Sequence, residues 1–355
     1  MNRLLSVSVT QFRNYGSAAF SFPQNITCIT GPNGSGKTAL LDAIYYLCYT
    51  KSYFTAQQQY SVQNGTDGFR IEGTFENAVI TVKWKGGKKE VSAGGVLYDR
   101  IADHIGRYAA VMIAPDDMAL INEGSEGRRK WIDSILSQTD RDYLDSLMQY
   151  TQVLQQRNAW LKMQATQPDN TGHALDYYNS RLVQTGAFIY ARRLKFLGEF
   201  QHLLQRFYKM LSGEAEAISI QYTSDLHERG LQEWLASTLQ YDLRMQRTTR
   251  GVHKDELVLL LNENPLRSYG SQGQKKSFLF AMKLAQYAYL SNQLAFLPIL
   301  LLDDIFEKLD QHRMEALLRI IQGPQFGQVI LTDTHAERVR AAFGAEVDLG
   351  FIGLG

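Results

Sequence analysis

The chain has 355 residues, of which 45% are hydrophobic and 21% are charged, an ordinary composition for a globular protein of two or three domains. Its 37 Lys and Arg against 36 Asp and Glu give a formal net charge of +1, so bulk charge indicates no partner and nucleic acid would need a local basic patch. The longest tightly apolar stretch, Leu297 to Leu302, is too short to cross a bilayer, and the first twelve residues lack the apolar core of a signal peptide. We expect no membrane association and a cytoplasmic location.

A phosphate-binding motif stands near the N-terminus. Residues 3–10 and 18–22 alternate as paired strands. A short buried strand at 26–30 precedes the motif, and residues 38–49 then predict a helix. The motif fits the pattern G-x-x-x-x-G-K-[ST] and comprises Gly31, Pro32, Asn33, Gly34, Ser35, Gly36, Lys37 and Thr38.

The motif predicts an ATP site because glycines let backbone N–H groups point at phosphate oxygens, at the positive end of the following helix. Lys37 is expected to bridge the β- and γ-phosphates as a catalytic cation, and Thr38 to place its hydroxyl on Mg²⁺. The alternative is a chance match in a glycine-rich turn, which the strand before the motif and the helix after it disfavour.

The only two cysteines, Cys28 and Cys48, lie in that strand and that helix. Two isolated thiols without C-x-x-C spacing indicate buried, reduced residues rather than a disulfide framework or a zinc site. The seven histidines are scattered along the chain. We therefore expect no metal apart from the Mg²⁺ that accompanies ATP.

Three further segments, 69–75, 79–84 and 89–92, predict strands and complete a β-rich region. From about residue 124, apolar residues at helical spacing predict long helices on either side of a turn-rich segment at 164–172. These helices are too short for a heptad coiled coil and predict an antiparallel helical insert. The expected domain organisation is an N-terminal part of the head at 1–120, the insert at 121–215, and a C-terminal part of the head at 216–355.

The last third alternates strands and helices. Strands are predicted at 217–223 and 256–261, with a hairpin turn at 262–265. A helix at 274–290, a strand at 297–302, a helix at 311–321 and a strand at 328–332 follow. This alternation is typical of an α/β fold with a parallel sheet.

Two adjacent aspartates end the strand at 297–302. Asp303 is expected to reach the magnesium shell as a Walker B carboxylate, and Asp304 to orient or deprotonate the attacking water. The alternative is a helix N-cap after a buried strand. Many ABC ATPases have Glu at the second position, and Asp is one methylene shorter. We therefore predict slow hydrolysis, suited to a timed switch.

Ser271, Gly273 and Gln274 form a signature-like turn before a helix, and Asp310 follows the Walker B pair. The serine hydroxyl and the N–H groups at the helix start are expected to contact the γ-phosphate of a second copy of the chain, with Asp310 at the dimer contact. Taken alone, each segment can also be interpreted as a polar helix cap. Together with the first two motifs, they are needed only by the dimerising ATPases of the ABC and SMC type. The predicted fold class is therefore an α/β, ABC/SMC-type P-loop ATPase head, split in sequence by an inserted antiparallel helical domain.

Two further residues are candidates for the ATP site. His335 follows the last predicted strand, where ABC ATPases place a histidine that senses the γ-phosphate; a surface histidine is nearly as good an interpretation. Arg13 lies in the turn between the first two strands and is a candidate to stack on the adenine base, with a plain turn residue as the alternative.

With these residues identified, the chain resembles the RecF family of the SMC/ABC superfamily almost from end to end. The form of the signature, residues 269–274, and the short helical insert are the specific marks. Val252 departs from the family's usual proline, and residues 50–55 are a loose version of a basic motif. The segments that carry the resemblance are 11–15, 31–38, 114–117, 157–158, 251–257, 267–274 and 300–304.

The resemblance implies a homodimer that forms with ATP, binds duplex DNA next to single-stranded gaps, and has weak DNA-dependent ATPase activity. It also implies that the protein works with RecR and RecO to help RecA load in recombinational repair and replication restart. Several basic residues are candidates to contact DNA, although groups of this kind form a solvated surface more often than a binding site. They are Lys83, Lys85, Lys88, Lys89, Arg128, Arg129, Lys130, Arg192, Arg193 and Lys195.

Two other classes of function are alternatives to this one. The ATPase subunit of a membrane transporter is disfavoured by the large helical insert and the non-standard signature. A structural adaptor that binds ATP without turnover is separated from a switch only by measuring hydrolysis.

Overall fold

The computed structural model describes residues 3–166, 173–213, 216–307, 309–344 and 346–355. The second half of the predicted turn-rich segment, residues 167–172, lies outside this part. The chain forms two compact units. The first contains Met1–Met118, Arg206–Glu214 and Ser271–Gly355, and the second contains Ala119–Gln205 and Ala215–Gly270.

The strands in chain order are β1 (Leu4–Phe12), β2 (Tyr15–Ser21), β3 (Ile26–Thr30), β4 (Gly68–Phe75), β5 (Val79–Lys85), β6 (Lys88–Ala93), β7 (Val96–Leu97), β8 (Ala110–Ile113), β9 (Ile218–Thr223), β10 (Glu256–Leu261), β11 (Asn264–Pro265), β12 (Ile299–Leu302), β13 (Val329–Asp333) and β14 (Leu349–Gly353). The helices are α1 (Lys37–Tyr49), α2 (Ala119–Asn122), α3 (Ser125–Thr139), α4 (Arg141–Thr166), α5 (His173–Ser212), α6 (Leu231–Ser237), α7 (Leu239–Met245), α8 (Leu266–Tyr269), α9 (Gln272–Gln293), α10 (Gln311–Ile321) and α11 (Ala336–Phe343).

The first unit contains a parallel sheet of five strands in the order β14-β3-β13-β12-β8. Its inner strands β13 and β12 are buried along their whole length, as expected for a parallel sheet covered on both faces. In the register of the pairs, Leu302 lies beside Leu331, and Thr332 lies beside Ile29. The carboxyl ends of β3, β12 and β13 therefore meet at one edge, where a nucleotide site is expected in an α/β sheet.

A second sheet in this unit is antiparallel, in the order β2-β1-β4-β5-β6-β7. Along β1 buried residues alternate with more exposed ones, the pattern of a strand with one face on the core. Helix α1 contacts strands of both sheets, which explains why all but one of its 13 residues are buried. The helix that follows the phosphate motif is thus packed in the core of the unit, and this packing fixes the position of its N-terminus.

The second unit combines α2 to α4, the larger part of α5, and α6 to α8 with a small sheet in the order β11-β10-β9. Its interior holds charged pairs: Arg157 Nη1 donates to Asp242 Oδ2 at 2.8 Å, and Arg193 Nη1 donates to Asp255 Oδ2 at 2.8 Å. Arg157 is fully buried. Residues of the segments that carry the family resemblance are therefore part of the polar core of this unit.

The chain passes between the two compact units after Met118, Gln205, Glu214 and Gly270. Residues 216–270, which the sequence analysis assigned to the C-terminal part of the head, therefore lie in the unit that holds the helices. Residues 215–270 group with the helices because β10 packs against α3 and because Asp255 pairs with Arg193. The predicted functional division into an ATPase head and an insert stays a prediction. Strands β7, β8, β11 and β14 and helices α2, α6, α7, α8 and α11 were not predicted. In the described ranges no helix combines the length and the apolar character needed to cross a membrane.

Candidate nucleotide site and signature corner

The phosphate loop joins β3 to α1 with a backbone that side chains would obstruct. Gly31 has φ +154°, and a Cβ there would lie 2.3 Å from the carbonyl oxygen of Leu354. Gly36 has φ +104°, and a Cβ there would lie 2.7 Å from the hydroxyl oxygen of Tyr15. That hydroxyl donates to the carbonyl of Gly36 at 3.1 Å. Glycine is thus required at both positions by conformation and by close contact.

Lys37 is held across its own loop. Its side chain is only 5% exposed, and Nζ donates to the carbonyls of Gly31 at 2.9 Å and Pro32 at 3.0 Å. Phosphate oxygens would offer this ammonium charged acceptors, which form stronger hydrogen bonds than carbonyls do. The lysine is therefore already positioned over the place where phosphate would bind.

A hydrogen-bonded chain joins α1 to the ends of β12 and β13. Thr38 Oγ1 donates to the carboxylate of Asp303, at 2.9 Å from Oδ2 and 3.1 Å from Oδ1. Thr332 Oγ1 donates to Asp303 Oδ1 at 2.8 Å and accepts from the backbone N–H of Asp304 at 2.9 Å. Burial raises the pKa of Asp303, against the lowering effect of the hydrogen bonds from Thr332 and Thr38. The predicted magnesium pair thus forms within this unit.

Asp304 has φ +46°, a left-handed conformation that is uncommon outside glycine and tolerated best by Asn and Asp. Strained backbone of this kind persists where its surroundings hold it in place. Here the hydrogen bond to Thr332 does so, and Asp304 lies on the wall of the adjoining cavity. Thr332 is a site residue that the sequence analysis missed.

That cavity has a volume of about 490 Å³. Its wall brings together residues that lie far apart in the chain, namely Arg13, Asn14, Asn33, Gly34, Gly36, Lys37, Thr38, Ala39 and Asp304. We refer to residues 31–38 together with Asp303, Asp304 and Thr332 as the phosphate cradle. Of the predicted contacts to one nucleotide, this wall brings together Arg13, Asp304 and five residues of the phosphate loop.

The cradle fits a magnesium nucleotide on two observations. The hydroxyl of Ser35 is buried inside the loop and has no hydrogen-bond partner among the described residues, so a phosphate oxygen could accept its proton. The Thr38 hydroxyl and the Asp303 carboxylate are oxygen donors of the kind that Mg²⁺ prefers, with substrate phosphates and water supplying the other ligands. Within the described ranges, no group of three or more His, Cys, Asp or Glu side chains could hold a metal ion by itself.

Arg13 lies on the cavity wall and is anchored from behind. Its Nη2 pairs with Asp42 Oδ2 at 2.6 Å and donates to Ser52 Oγ at 3.1 Å. The guanidinium also lies over the ring of Phe54, 5.4 Å from its centroid. Burial raises the pKa of Asp42, against the lowering effect of the Arg13 charge. The side chain is thus pre-positioned, and its contact with an adenine base stays a prediction.

The predicted signature residues begin helix α9. Ser271 is exposed and is the N-cap; its Oγ accepts from the N–H of Gln274 at 3.2 Å, and Gln274 Oε1 accepts from the N–H of Ser271 at 2.7 Å. This capping box uses the serine oxygen as an acceptor and leaves its own proton available to donate. The N–H groups that follow, including that of Gly273, have no acceptor within the helix. We call Ser271, Gly273 and Gln274 the signature corner.

Asp310 is the N-cap of helix α10. The sequence analysis gave this role as the alternative to a dimer contact. Its Oδ1 accepts from the N–H of Arg313 at 3.0 Å, and its Oδ2 pairs with the guanidinium of Arg313. The hydrogen bond from that N–H, with the one from the guanidinium, lowers the pKa of Asp310. The cap leaves half of the side chain exposed.

His335 is not on the cavity wall. It is exposed and is the N-cap of α11, with Nδ1 2.8 Å from Thr334 Oγ1. Its backbone N–H donates to Asp333 Oδ1 at 2.7 Å, and the other carboxylate oxygen of Asp333 pairs with Arg338 at 2.6 Å. A contact between His335 and a γ-phosphate stays a prediction.

The candidate basic residues are buried, half-buried or exposed. Arg129 and Arg192 are half-buried and bond to Asp255 and Asp140 of their own chain. The predictions for Arg128 and Arg193 are wrong, because both are buried and bonded to their own chain: Arg128 Nη1 donates to the carbonyl of Leu120 at 2.7 Å, and Arg193 pairs with two aspartates. Lys89 also turns inward, to the carbonyl of Thr50 at 2.6 Å. The residues that are exposed are Lys83, Lys85, Lys88, Lys130 and Lys195.

The phosphate loop follows β3 at the edge of a parallel sheet, and Asp303 follows β12, which is separated from β3 by β13. This arrangement defines an ATPase head of the ABC/SMC type. A family model described as an AAA domain matches residues 6–313. The solved head domain of Smc from Pyrococcus furiosus, bound to the C-terminal domain of ScpA, covers 99% of this chain and 93% of its own, with a TM-score of 0.56 at 16% identity. That likeness concerns the fold alone, and with the match it confirms the predicted fold class.

More similar proteins identify the family. The DNA replication and repair protein RecF of Flavobacterium johnsoniae is 39% identical over 343 residues, which are 95% of this chain and 96% of the relative. A solved structure of the recombination mediator protein RecF-ATPrS in the RecFOR pathway has a TM-score of 0.87 at 27% identity and covers 99% of this chain and 96% of that one. The chain belongs to the RecF family, as the resemblance had indicated.

Proposed function

We propose that this protein is an ATP-dependent DNA-binding homodimer that acts in recombinational repair and replication restart. Membership of a family whose members are called DNA replication and repair proteins supports the process. A structural relative named for ATPrS and another named for ATP support the nucleotide. The proposed location is the cytoplasm, where chromosomal DNA is found in bacteria such as the one that carries the Flavobacterium relative.

In this proposal the phosphate cradle binds ATP. Lys37 exchanges its two carbonyl acceptors for phosphate oxygens, while the loop N–H groups and the Ser35 hydroxyl donate to the same phosphates. Thr38 and Asp303 would hold Mg²⁺, which when bound neutralises charge on the β- and γ-phosphates. Arg13, kept in place by Asp42, is the proposed contact of the base.

Asp304 is the proposed residue that orients the attacking water. Its carboxylate lies on the cavity wall, and Thr332 holds its backbone in the left-handed conformation. Because Asp reaches less far than Glu, we expect it to hold the water less well and to give slow turnover. Slow hydrolysis would suit a switch that stays closed on DNA until it is reset.

Two copies are proposed to sandwich each nucleotide. The observation that carries this step is the exposure of the signature corner: Ser271 faces solvent with a donor proton that its capping box does not use. A phosphate docked at the N-terminus of a helix as long as α9 would also gain from the helix dipole. The corner cannot serve the cradle of its own chain and that of a twin at once, and its outward position favours the twin.

Light scattering of the protein with ATP and Mg²⁺ tests the sandwich. We expect the monomer mass with ADP or without nucleotide, and twice that mass with ATP. A gapped duplex should increase the dimer fraction further if DNA lies across both copies. A mass that is the same with and without ATP would reject the proposed dimer.

DNA binding is proposed to use phosphate contacts from the exposed lysines of β5 and β6, Lys83, Lys85 and Lys88, together with Lys130 and Lys195. Such contacts give affinity without reading bases and weaken steeply with salt. Fluorescence anisotropy with a labelled duplex should show tighter binding with ATP than without it, because closure would join two weak patches. Equal affinity in both states would count against ATP-driven closure.

The proposed partners follow from the pathway in which the structural relative is placed. RecR and RecO are proposed to bind the ATP-closed dimer on gapped DNA and to help RecA load there. Pull-down of RecR by the protein with ATP, compared with ADP, is the direct measurement. Capture that does not depend on the nucleotide would mean that the switch does not control this step.

A further inference from the structure

Arg313 joins two segments that the proposed dimer would present to its twin. It lies in the first turn of α10, three residues after Asp310, and its guanidinium pairs with the Asp310 carboxylate. Its Nε donates to Ser277 Oγ on helix α9 at 2.6 Å. Ser277 is buried, and the Arg313 side chain is 22% exposed. One guanidinium thus binds both Asp310, the N-cap of α10, and the helix that carries the signature corner.

The glycine of the corner makes room for this arginine. Gly273 and Ser277 are four residues apart and lie on the same face of α9. A Cβ on Gly273 would lie 3.3 Å from both Nη1 and Nη2 of Arg313 and 3.4 Å from its Cζ. The φ angle of Gly273 is not positive, so other residues could adopt the same backbone conformation there. A Cβ there would instead displace the guanidinium by a few tenths of an ångström, so glycine allows Arg313 its present position.

The charge arrangement also needs an explanation. A helix N-terminus carries a partial positive charge and disfavours a nearby cation, yet Arg313 lies beside the first turn of α9. The Asp310 carboxylate compensates for part of this charge. A phosphate group arriving at the same helix end would compensate for the rest, which makes the arrangement better suited to the ATP-bound dimer than to the separate chain.

We propose that Arg313 is a positioning residue that fastens Asp310 to the first turn of α9, so that Ser271 and Asp310 enter the twin's site as one rigid unit. This inference rests on the proposed sandwich dimer. Arg313 would act in trans: it would promote hydrolysis at the cradle of the twin and leave nucleotide binding by its own cradle unchanged. Arg313 binds Ser277 through Nε and Asp310 through Nη1, and lysine lacks this planar fork of separate donor nitrogens.

The first experiment measures Arg313→Ala and Arg313→Lys. We expect hydrolysis to fall about tenfold or more in Arg313→Ala, the scale of loss when a reacting group is displaced slightly, and Arg313→Lys to recover part of it. ATP affinity of the monomer should match that of the wild type, and both variants should remain folded at the assay temperature, although loss of the bond to buried Ser277 should lower the thermal midpoint of Arg313→Ala. The unchanged affinity separates positioning from folding. Unchanged hydrolysis in Arg313→Ala would overturn the inference.

A double variant tests whether Arg313 works through Asp310. If its role is to fasten that carboxylate, Arg313→Ala combined with Asp310→Ala should be no slower than the slower single variant, because both remove one interaction. Losses that multiply would mean that the two residues act independently, and would overturn the inference.

Mixing tests the trans action. Lys37→Ala lacks a working cradle but keeps its corner, whereas Arg313→Ala keeps its cradle. A mixed dimer would then contain one intact composite site, so the mixture should hydrolyse ATP faster than either variant alone. The matched control mixes Lys37→Ala with Ser271→Ala. Faster hydrolysis in the control mixture alone would overturn the role of Arg313. If hydrolysis rises in neither mixture, the composite site itself is overturned, and the inference with it.

Discussion

The phosphate cradle and the signature corner are built in opposite ways. In the cradle, Thr38 bonds to Asp303 across 265 residues of sequence, and Lys37 is almost completely buried. In the corner, Ser271 bonds to Gln274 only three residues away and faces solvent. The cradle is assembled by residues from distant parts of the chain, whereas the exposed corner is held by a cap within three residues of sequence and by one arginine of α10. The difference is what a site shared between two copies would require.

The largest effect should come from the cradle. Lys37→Ala removes an ammonium that can make two charge-assisted hydrogen bonds to phosphate, each worth about 1.5–3 kcal/mol. ATP affinity should therefore fall by about 100-fold or more, and turnover should be lost with it. Titration of a fluorescent ATP analogue measures the affinity. Retention of the nucleotide by this variant would contradict the assigned phosphate contact.

A change in the corner should separate binding from turnover. Ser271→Arg places a bulky cation where the twin's γ-phosphate is proposed to dock, so dimerisation and hydrolysis should be lost while the monomer binds ATP as well as the wild type. Size-exclusion chromatography with ATP reports the dimer, and the analogue titration reports binding. Hydrolysis at the wild-type rate would remove the sandwich model, and loss of ATP binding would place Ser271 in its own cradle.

Asp304→Asn should stop only the chemical step. The amide keeps the shape of the side chain and cannot take a proton from water, so hydrolysis should slow by about 10²- to 10⁴-fold, with ATP binding intact. Because closure would then outlast hydrolysis, the dimer should persist on a column run after ATP is removed from the buffer. A monomeric profile in the presence of ATP would reject this role for Asp304.

Thr332→Val tests the support of the cradle more gently. The substitution keeps the shape of the side chain but removes the hydroxyl that bonds to both Asp303 and the N–H of Asp304. We expect turnover to fall by about tenfold through a small displacement of Asp304, with ATP affinity less affected. A turnover number equal to that of the wild type would show that the left-handed conformation of Asp304 needs no support from Thr332.

Thr332 also illustrates what the sequence could not predict. The phosphate loop, the strand before it and the Asp303–Asp304 pair are local patterns, and each was recognisable alone. Thr332 reaches Asp303 only because β12 and β13 pair in parallel with one particular register. No local sequence pattern predicts the register of these two strands.

The charged residues give the same lesson. Arg128 and Arg193 look like a basic surface in the sequence, because the groups that neutralise or accept from them lie elsewhere in the chain or on the backbone. Asp255, for example, lies 62 residues from Arg193. Charge is visible in a sequence, but burial and pairing are products of tertiary structure. This is why the sequence located the residues of the cradle better than it separated exposed basic residues from buried ones.

The smallest predicted effect concerns the far end of the helix that forms the cradle. Lys89 Nζ donates to the carbonyl of Thr50, the residue that ends α1, and burial, with a smaller effect of Lys51, lowers the pKa of Lys89 from 10.5 to about 8. Between these two values the unfolded chain binds more protons at this side chain than the folded chain does, so stability should rise with pH across that window.

Lys89→Met lacks that titration and serves as the reference for it. The thermal midpoint of the wild type minus that of Lys89→Met should increase between pH 7 and about pH 10, the window that the lowered pKa defines, while the midpoint difference for Lys88→Met, an exposed neighbour, should stay nearly constant. A wild-type advantage that is flat with pH would mean that the Lys89 amine is not buried against α1. Ser271 belongs to the signature corner, on a helix that has no contact with Lys89. The midpoint difference for Ser271→Ala should therefore not change with pH.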